Sequence, residues 1–496
     1  MITKLSTRKK ELFLTVTSNL CLQIVTAICG FILPPLIIQT FGSSINGMVS
    51  SITQFIAYLN LVEAGVGGAS VAALYKPIAL KDIEKRNEIL SATVKSYNKS
   101  GFIFTALIVI LAFVYPVLVR TQVDFKVAFI MVFVLGISGV AEFFLIGKYR
   151  VLLTADKKIY VISTIQIVAL ILSTLVSILL IKLGASIVII KFVSSIIYLG
   201  RFLLLAFYVR KKYLNLDFHE TPDLLAIKQS RNVFVHSIGR LVVFNSPLVI
   251  ITIFCSLEDV SVYAVYAMVF NAVNMLLGAF SNGMQAFLGE SLVQDSLDNT
   301  RRIFYRYEKM FFCIEGMCYA LTYVLILPFM NLYTSNLRDT EYFRPDIAIL
   351  FLCIGILNNT REPSNKLIDA AAHFKKTQWR SVLEAIINVF ASIIFTLLLG
   401  FKGVLLGGIC SYLYRTLDIL IYSAKHILQS NPLKDFIPIF IWGIYYFGMS
   451  KLILLKTVTI SSYLNWIIYA CIVGLIMSVP ILVVSVIKLL LGRGNS

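Results

Sequence analysis

The sequence predicts an all-α polytopic membrane protein with about 14 transmembrane helices. Of its 496 residues, 58% are hydrophobic and only 14% are charged, and the mean hydropathy is +0.85. Soluble domains average about 25% charged residues, so this chain has too few to cover a water-exposed surface. The same numbers argue against a soluble enzyme and against a disordered chain.

Long apolar windows locate the helices. A helix needs about 20 apolar residues to cross roughly 30 Å of hydrocarbon. Fourteen windows meet this requirement, and we number them spans 1–14. They lie at 12–40, 46–75, 97–119, 127–147, 159–181, 185–209, 232–254, 260–288, 310–333, 346–371, 378–400, 403–427, 436–455 and 462–487. Helices satisfy the backbone inside lipid, and the residue alternation of a membrane barrel is absent.

The basic residues predict the orientation. The net charge of +18 reflects 44 Lys and Arg residues against 26 Asp and Glu residues. With the N-terminus inside, thirty basic residues fall on inner flanks and loops and eight on the outer side. This asymmetry predicts cytoplasmic termini and an even number of spans. Because these residues are divided among short loops, we expect no nucleic-acid binding.

Spans 1–6 and 7–12 form an internal repeat, for which the common order of the matches along the chain is the evidence. Six residues within 19–41 recur 213 positions later, and Tyr97 recurs as Tyr307. The repeat predicts an N-lobe at 1–212, a cytoplasmic linker at 213–231 and a C-lobe at 232–430. Residues 431–496 add spans 13 and 14. Parallel repeats of this kind are a transporter architecture.

Polar residues at membrane depth are candidate ligands. Asn232, His236 and Arg240 are four residues apart and share one stripe of span 7, and Asn19 and Gln23 occupy the equivalent stripe of span 1. Arg240 and His236 suit a diphosphate in a shielded site. The alternatives are an arginine that snorkels to the inner face and a histidine that packs in the interior.

Further polar residues lie in spans 2, 8 and 10. Arg361 and Lys366 either contact an anionic ligand or belong to a self-neutralised cluster with Glu362 and Asp369. Three amides either bind sugar hydroxyls or join helices. These amides are Asn60, Asn271 and Asn274.

Glu63 and Glu142 lack an obvious partner on their own spans. Buried carboxyls can carry protons in transport, or they can form salt bridges between helices, for example Glu63 with Arg240. The eight cysteines show no metal-ligand spacing, and we predict no metal site and no catalytic residue.

Several short segments together resemble one family. They are Phe41-Gly42 with Ile45-Asn46-Gly47-Met48, Asn60-Leu61-Val62-Glu63-Ala64-Gly65, Leu152-Leu153-Thr154-Ala155-Asp156-Lys157-Lys158, Ser261-Val262-Tyr263-Ala264, Arg361-Glu362-Pro363 and Glu384-Ala385-Ile386-Ile387-Asn388. Over nearly the whole chain, the sequence resembles the Wzx-type polysaccharide repeat-unit flippases of the multidrug/oligosaccharidyl-lipid/polysaccharide exporter superfamily, which transport units of O-antigen, capsule or exopolysaccharide.

The resemblance implies a MATE-like fold, in which two six-helix lobes surround a cavity that opens alternately to each side. It implies a polyprenyl-diphosphate-linked oligosaccharide as substrate and a lipid-tail groove formed by spans 13 and 14. It also implies the bacterial cytoplasmic membrane as location, with polysaccharide polymerase and glycosyltransferases as partners.

Two alternatives stay open. One is a drug or cation antiporter of the same superfamily, although Arg240, Arg361 and Lys366 favour an anionic substrate. The other is a membrane polysaccharide polymerase, but the longest outer connection, about 334–345, is too short for a domain. We therefore predict a transporter without a cofactor, driven by protons or sodium ions.

Overall fold

The computed structural model describes residues 2–63, 65–213, 215–227, 231–335, 337, 339–455 and 460–492, and of these the side chains of 2–12, 231–241, 282, 283, 286, 374, 375 and 480–492 fall outside the description. The described chain is helical. Its helices are α1 (Ile2–Phe41), α2 (Ser43–Leu59), α3 (Val66–Leu80), α4 (Ile83–Leu118), α5 (Phe125–Ala141), α6 (Gly147–Ala155), α7 (Ile159–Lys182), α8 (Ile187–Lys212), α9 (Arg231–Phe254), α10 (Leu257–Gln294), α11 (Leu297–Tyr333), α12 (Pro345–Thr360), α13 (Glu362–Ala370), α14 (Phe374–Leu399), α15 (Phe401–His426), α16 (Leu433–Leu454) and α17 (Tyr463–Gly492).

Each of the fourteen predicted spans corresponds to one helix or to one interrupted helix. Span 2 is α2 and α3, separated by a 3₁₀ turn at Asn60–Glu63. Span 4 is α5 and α6, joined by a π-helical segment at Glu142–Ile146. Span 10 is α12 and α13, which meet at Arg361. The predicted polytopic all-α fold is confirmed.

Length and hydropathy identify the membrane helices. Among the described residues, ten helices are long and apolar enough to cross a bilayer, and the bent pair of α2 and α3 would make eleven. Large apolar side chains are exposed along them, including Leu175, Phe207 and Leu398, which are 59%, 69% and 72% exposed. Such surfaces suit lipid and not water.

The chain divides into two compact units, residues 1–264 and 265–496. In the first, α1 packs on α7, α4 on α5, and α7 on α8. Helix α9 and the first turns of α10 also belong to this unit because α9 packs on α2. The lobe boundaries at 212 and 232 remain predictions.

In the second unit, α11 contacts α12, α16 and α17. Cys313, Ala320 and Val324 of α11 form an apolar core with Tyr446 of α16 and residues of α17. Helices α14 and α15 approach so closely that a Cβ on Gly403 would lie 2.0 Å from the carbonyl oxygen of Phe395. The two helices therefore form a tight hairpin.

Helix lengths repeat between the two halves of the chain. Helices α4 and α11 have 36 and 37 residues. Helices α7 and α14 have 24 and 26, and α8 and α15 have 26 each. These three pairs occupy equivalent places in the sequence repeat, whereas α1 and α9, whose spans carry the six identities, have 40 and 24 residues.

Candidate functional site

A row of polar contacts joins α2 to α9 and to the start of α10. Asn46 donates to Ser261 at 2.7 Å, and the hydroxyls of Ser51 and Thr252 are 2.7 Å apart. A Cβ on Gly47 would lie 1.8 Å from the carbonyl oxygen of Leu257. Two of the segments that carry the family resemblance, Ile45–Met48 and Ser261–Ala264, therefore meet here.

In the first unit, one arginine binds both of the carboxylates that the sequence singles out. The guanidinium of Arg150 lies 2.5 Å from Glu63 and 3.0 Å from Glu142. The Tyr97 hydroxyl also donates to Glu63, at 2.5 Å. The side chain of Arg150 is 40% exposed, and those of the two glutamates are 21% and 22% exposed. We call these four residues the Glu63 cluster. It holds two carboxylates and one guanidinium.

The π-helical segment explains how Arg150 reaches Glu142. In a regular helix, residues eight apart point about 80° away from each other. A π-helical turn takes in one extra residue, which brings the two side chains back to nearly the same face. By its position in the sequence, Arg150 is predicted to be one of the cations on the inner flanks. Its pairing with Glu142 could not be predicted, because a single π-helical turn leaves no clear pattern in the sequence.

In the second unit, buried charges surround Arg361. Its guanidinium donates to Glu384 at 2.5 Å and to Asn358 at 3.0 Å. The other oxygen of Glu384 lies 3.4 Å from Arg415. Arg415 and Arg380 both pair with Asp418. This Arg361 cluster comprises three guanidinium groups and two carboxylates, and the side chain of Arg361 is only 13% exposed.

Each of the remaining predicted ligands has its own local contacts or is exposed. Lys366 lies 3.2 Å from Glu362, the pairing that their spacing predicts. Asn274 accepts from Asn359 at 2.6 Å and from Tyr319 at 3.2 Å. Asn19 accepts from Ser163 at 2.6 Å. Three further amides were predicted: Gln23 is half-buried, and Asn60 and Asn271 are exposed.

Asn232, His236 and Arg240 lie outside the residues whose side chains the structure describes, although the backbone of α9 is helical there. Their role as a diphosphate site is untested. The ligand roles of the described residues also stay predictions, but Arg361 and Lys366 each have an acidic partner.

A cavity of about 480 Å³ lies in the second unit between α11, α12 and α16. Its wall is mostly apolar and aromatic, with Tyr319, Tyr323 and Trp442 among the rings. Ile349 and Phe447 are 50% and 61% exposed at its edge. The carboxyl of Glu315, which is 4% exposed, accepts from Thr360 at 3.0 Å and also lines the cavity. We call this cavity the α16 groove.

The segment between α8 and α9 is attached to α4 by an ion pair. Lys85 lies 2.8 Å from Asp223, whose other oxygen accepts from the backbone of Leu225 and Ala226. The hydrogen bond from Lys85 and these backbone bonds hold the pKa of Asp223 below its usual range. This contact fixes part of the predicted linker.

No known family model matches the sequence, and no curated protein matches it either. Solved structures do match. The lipid II flippase MurJ, in an inward closed conformation, aligns with a TM-score of 0.63 over 94% of this chain and 98% of that one, at 16% identity.

Two multidrug transporters align nearly as well. An inward-facing MATE family transporter of the MOP superfamily has a TM-score of 0.59 and 13% identity, over 88% of this chain and 99% of that one. The MATE multidrug transporter DinF-BH, in complex with a ligand, has a TM-score of 0.59 and 16% identity, over 85% and 97%. Identities this low show a shared fold alone. The chain therefore has the polytopic helical fold of these MATE transporters and of MurJ.

Proposed function

We propose that this protein is a flippase that moves polyprenyl-diphosphate-linked oligosaccharides from the inner to the outer leaflet by alternating access. The observation that carries the proposal is the α16 groove. Its apolar wall suits a hydrocarbon chain. Helix α16 is span 13, the first of the two spans that follow the repeat of spans 1–12. The likeness to MurJ, a lipid II flippase, supports the same substrate class.

The groove fits a prenyl tail for physical reasons. A tail that enters from the bilayer exchanges lipid contacts for contacts with the groove wall, so close packing and not removal from water holds it there. The exposed edge at Ile349 and Phe447 lets a chain enter from the bilayer. The diphosphate needs a cation, and Arg240 is the candidate from the sequence. In the predicted orientation, the polar contacts between α2 and α9 lie at the outer ends of both helices, where alternating access requires a gate.

Filling the groove tests the proposal. Gly443 lines the groove, whereas Gly448 lies on the same helix outside it, and a Cβ at either position would meet open space. Leucine at an exposed helical position is favoured over glycine by up to about 1 kcal/mol, so both variants should fold. In proteoliposomes with a fluorescent polyprenyl-diphosphate oligosaccharide, Gly443→Leu should reduce flipping at least about tenfold, the equivalent of about 1.4 kcal/mol.

Gly448→Leu should flip the lipid at the wild-type rate. Equal rates in the two variants would exclude a tail site in the groove. Arg240→Ala should stop flipping in protein that reaches the membrane at normal levels, and unchanged flipping would refute the headgroup role of Arg240.

The same groove also supports a second candidate, an organic-cation antiporter. A buried carboxyl among aromatic rings attracts a lipophilic cation, and Glu315 lies beside Tyr319 and Trp442 in the groove wall. Export of a lipophilic cationic dye by the wild-type protein, abolished in Glu315→Gln, would support this function. A flippase should retain transport of the lipid substrate in that variant.

A further inference from the structure

Two carboxyls that the proposed transport does not use lie buried between α11 and α16. Glu308 and Asp435 are both 0% exposed. None of their four oxygen atoms accepts a hydrogen bond of standard geometry from a described residue, although the Tyr305 hydroxyl lies close enough to Asp435 to stabilise its carboxylate. They lie close enough to interact electrostatically.

Among the residues whose side chains the structure describes, none neutralises the pair. Lys309 is exposed and attracts Glu308 from a distance, but within the described chain neither carboxyl forms an ion pair. Tyr307 also lies near Glu308. The Tyr305 hydroxyl lies beside Asp435 and makes its short bond, 2.6 Å, to Ser430. Two buried carboxylates without a cation repel each other and lose their hydration, so both cannot be ionised at low cost.

We propose that Glu308 and Asp435 hold one proton between them, and that this protonated pair attaches α16 to α11. Asp435 lies in the first turn of α16, where the helix dipole favours a carboxylate. Glu308 is therefore the better site for the proton. The pair is a proton-binding site at the junction with the two added helices.

The surrounding contacts show why this junction matters. Arg301, Tyr305 and Glu308 lie four and three residues apart, on one face of α11. Arg301 donates to the carbonyls of Leu428 and Gln429 at 2.5 and 2.8 Å. The arginine and the tyrosine thus fix the loop that leads into α16, and the carboxyl pair fixes the first turn of the helix itself.

The proposal does not depend on what the protein transports, and stability of the full-length protein tests it. Ordinary carboxyls in the unfolded chain lose their protons well below neutral pH, whereas the folded pair keeps one. The folded state then binds more protons, so stability must fall as the pH rises. In wild-type protein, the apparent Tm should be lower at pH 9 than at pH 6.

Glu308→Gln and Asp435→Asn each leave one carboxylate beside a neutral donor. Both variants should therefore lose most of the decline in Tm between pH 6 and pH 9. Glu341→Gln removes an exposed carboxyl of the same unit and should decline as the wild type does.

Three results would overturn the proposal: a decline that is unchanged in both variants, failure of both variants to fold at any pH, or a rise in the wild-type Tm at pH 9 when NaCl replaces choline chloride. The last result would indicate that a metal cation, and not a proton, separates the carboxyls.

Discussion

Arg150 lies 2.5 Å from Glu63, although 87 residues separate them in the sequence. The same guanidinium also forms an ion pair with Glu142, so a single cation balances two carboxylates. Replacing either glutamate by glutamine should leave a matched pair, whereas Arg150→Leu should leave two carboxylates unbalanced. We expect Arg150→Leu to destabilise the protein by about 1–3 kcal/mol, and both glutamine variants to cost clearly less. Thermal unfolding of the purified variants measures this order.

A transport assay distinguishes the roles of Glu63 and Glu142. If Glu63 carries a coupling proton, Glu63→Gln should flip lipid without responding to a pH gradient, and Glu142→Gln is the control from the same cluster. A normal response in Glu63→Gln would refute proton coupling through Glu63.

The hydroxyls of Ser51 and Thr252 are 2.7 Å apart, close enough for cysteines at these positions to form a disulfide. In a background without the eight native cysteines, Ser51→Cys with Thr252→Cys should cross-link under oxidation and stop flipping. A reductant should restore it. Thr53→Cys with Thr252→Cys is the control, because Thr53 is exposed and donates to the Val49 carbonyl of its own helix. Transport that continues after complete cross-linking would show that α2 and α9 need not separate.

Glu384 contacts both Arg361 and Arg415 in the buried cluster of the second unit. Glu384→Gln would leave three guanidinium groups with one carboxylate. Removing one partner of a buried ion pair costs about 3–5 kcal/mol, so the variant should show a large drop in Tm or fail to accumulate. Glu290→Gln, at an exposed position on α10, should have little effect. A wild-type Tm in Glu384→Gln would mean that the cluster is not structural.

The Lys85–Asp223 pair predicts a pH effect on the segment between α8 and α9. Because the pKa of Asp223 is lowered in the folded protein, its contribution is complete above the ordinary aspartate range and is lost as the pH falls through the lowered pKa. At neutral pH, Asp223→Asn should therefore speed tryptic cleavage at Lys228. Asp217→Asn, an exposed aspartate of the same segment, is the control. Equal cleavage rates in the two variants would contradict this role.

The positions of the membrane helices followed from composition, since each span needs a long apolar window and each predicted window contains a helix. The pairing of Glu362 with Lys366 also followed from spacing, because both lie in one short helix. The partners of Glu63 and Glu384 did not, because they lie on helices brought together only by packing. Glu308 and Asp435 look like ordinary acids near helix ends until the fold buries both of them.

The π-helical segment at Glu142–Ile146 has a consequence for comparing this chain with its relatives. A relative of the same length whose helix runs regularly through this segment would point its counterpart of Arg150 about 80° away from Glu142. A relative that lacks one residue here would form a regular helix and keep the two side chains on nearly the same face, because seven residues make about two turns. A one-residue gap at this segment is therefore compatible with the same charge pairing, whereas loss of the π-helical turn without a gap would break it.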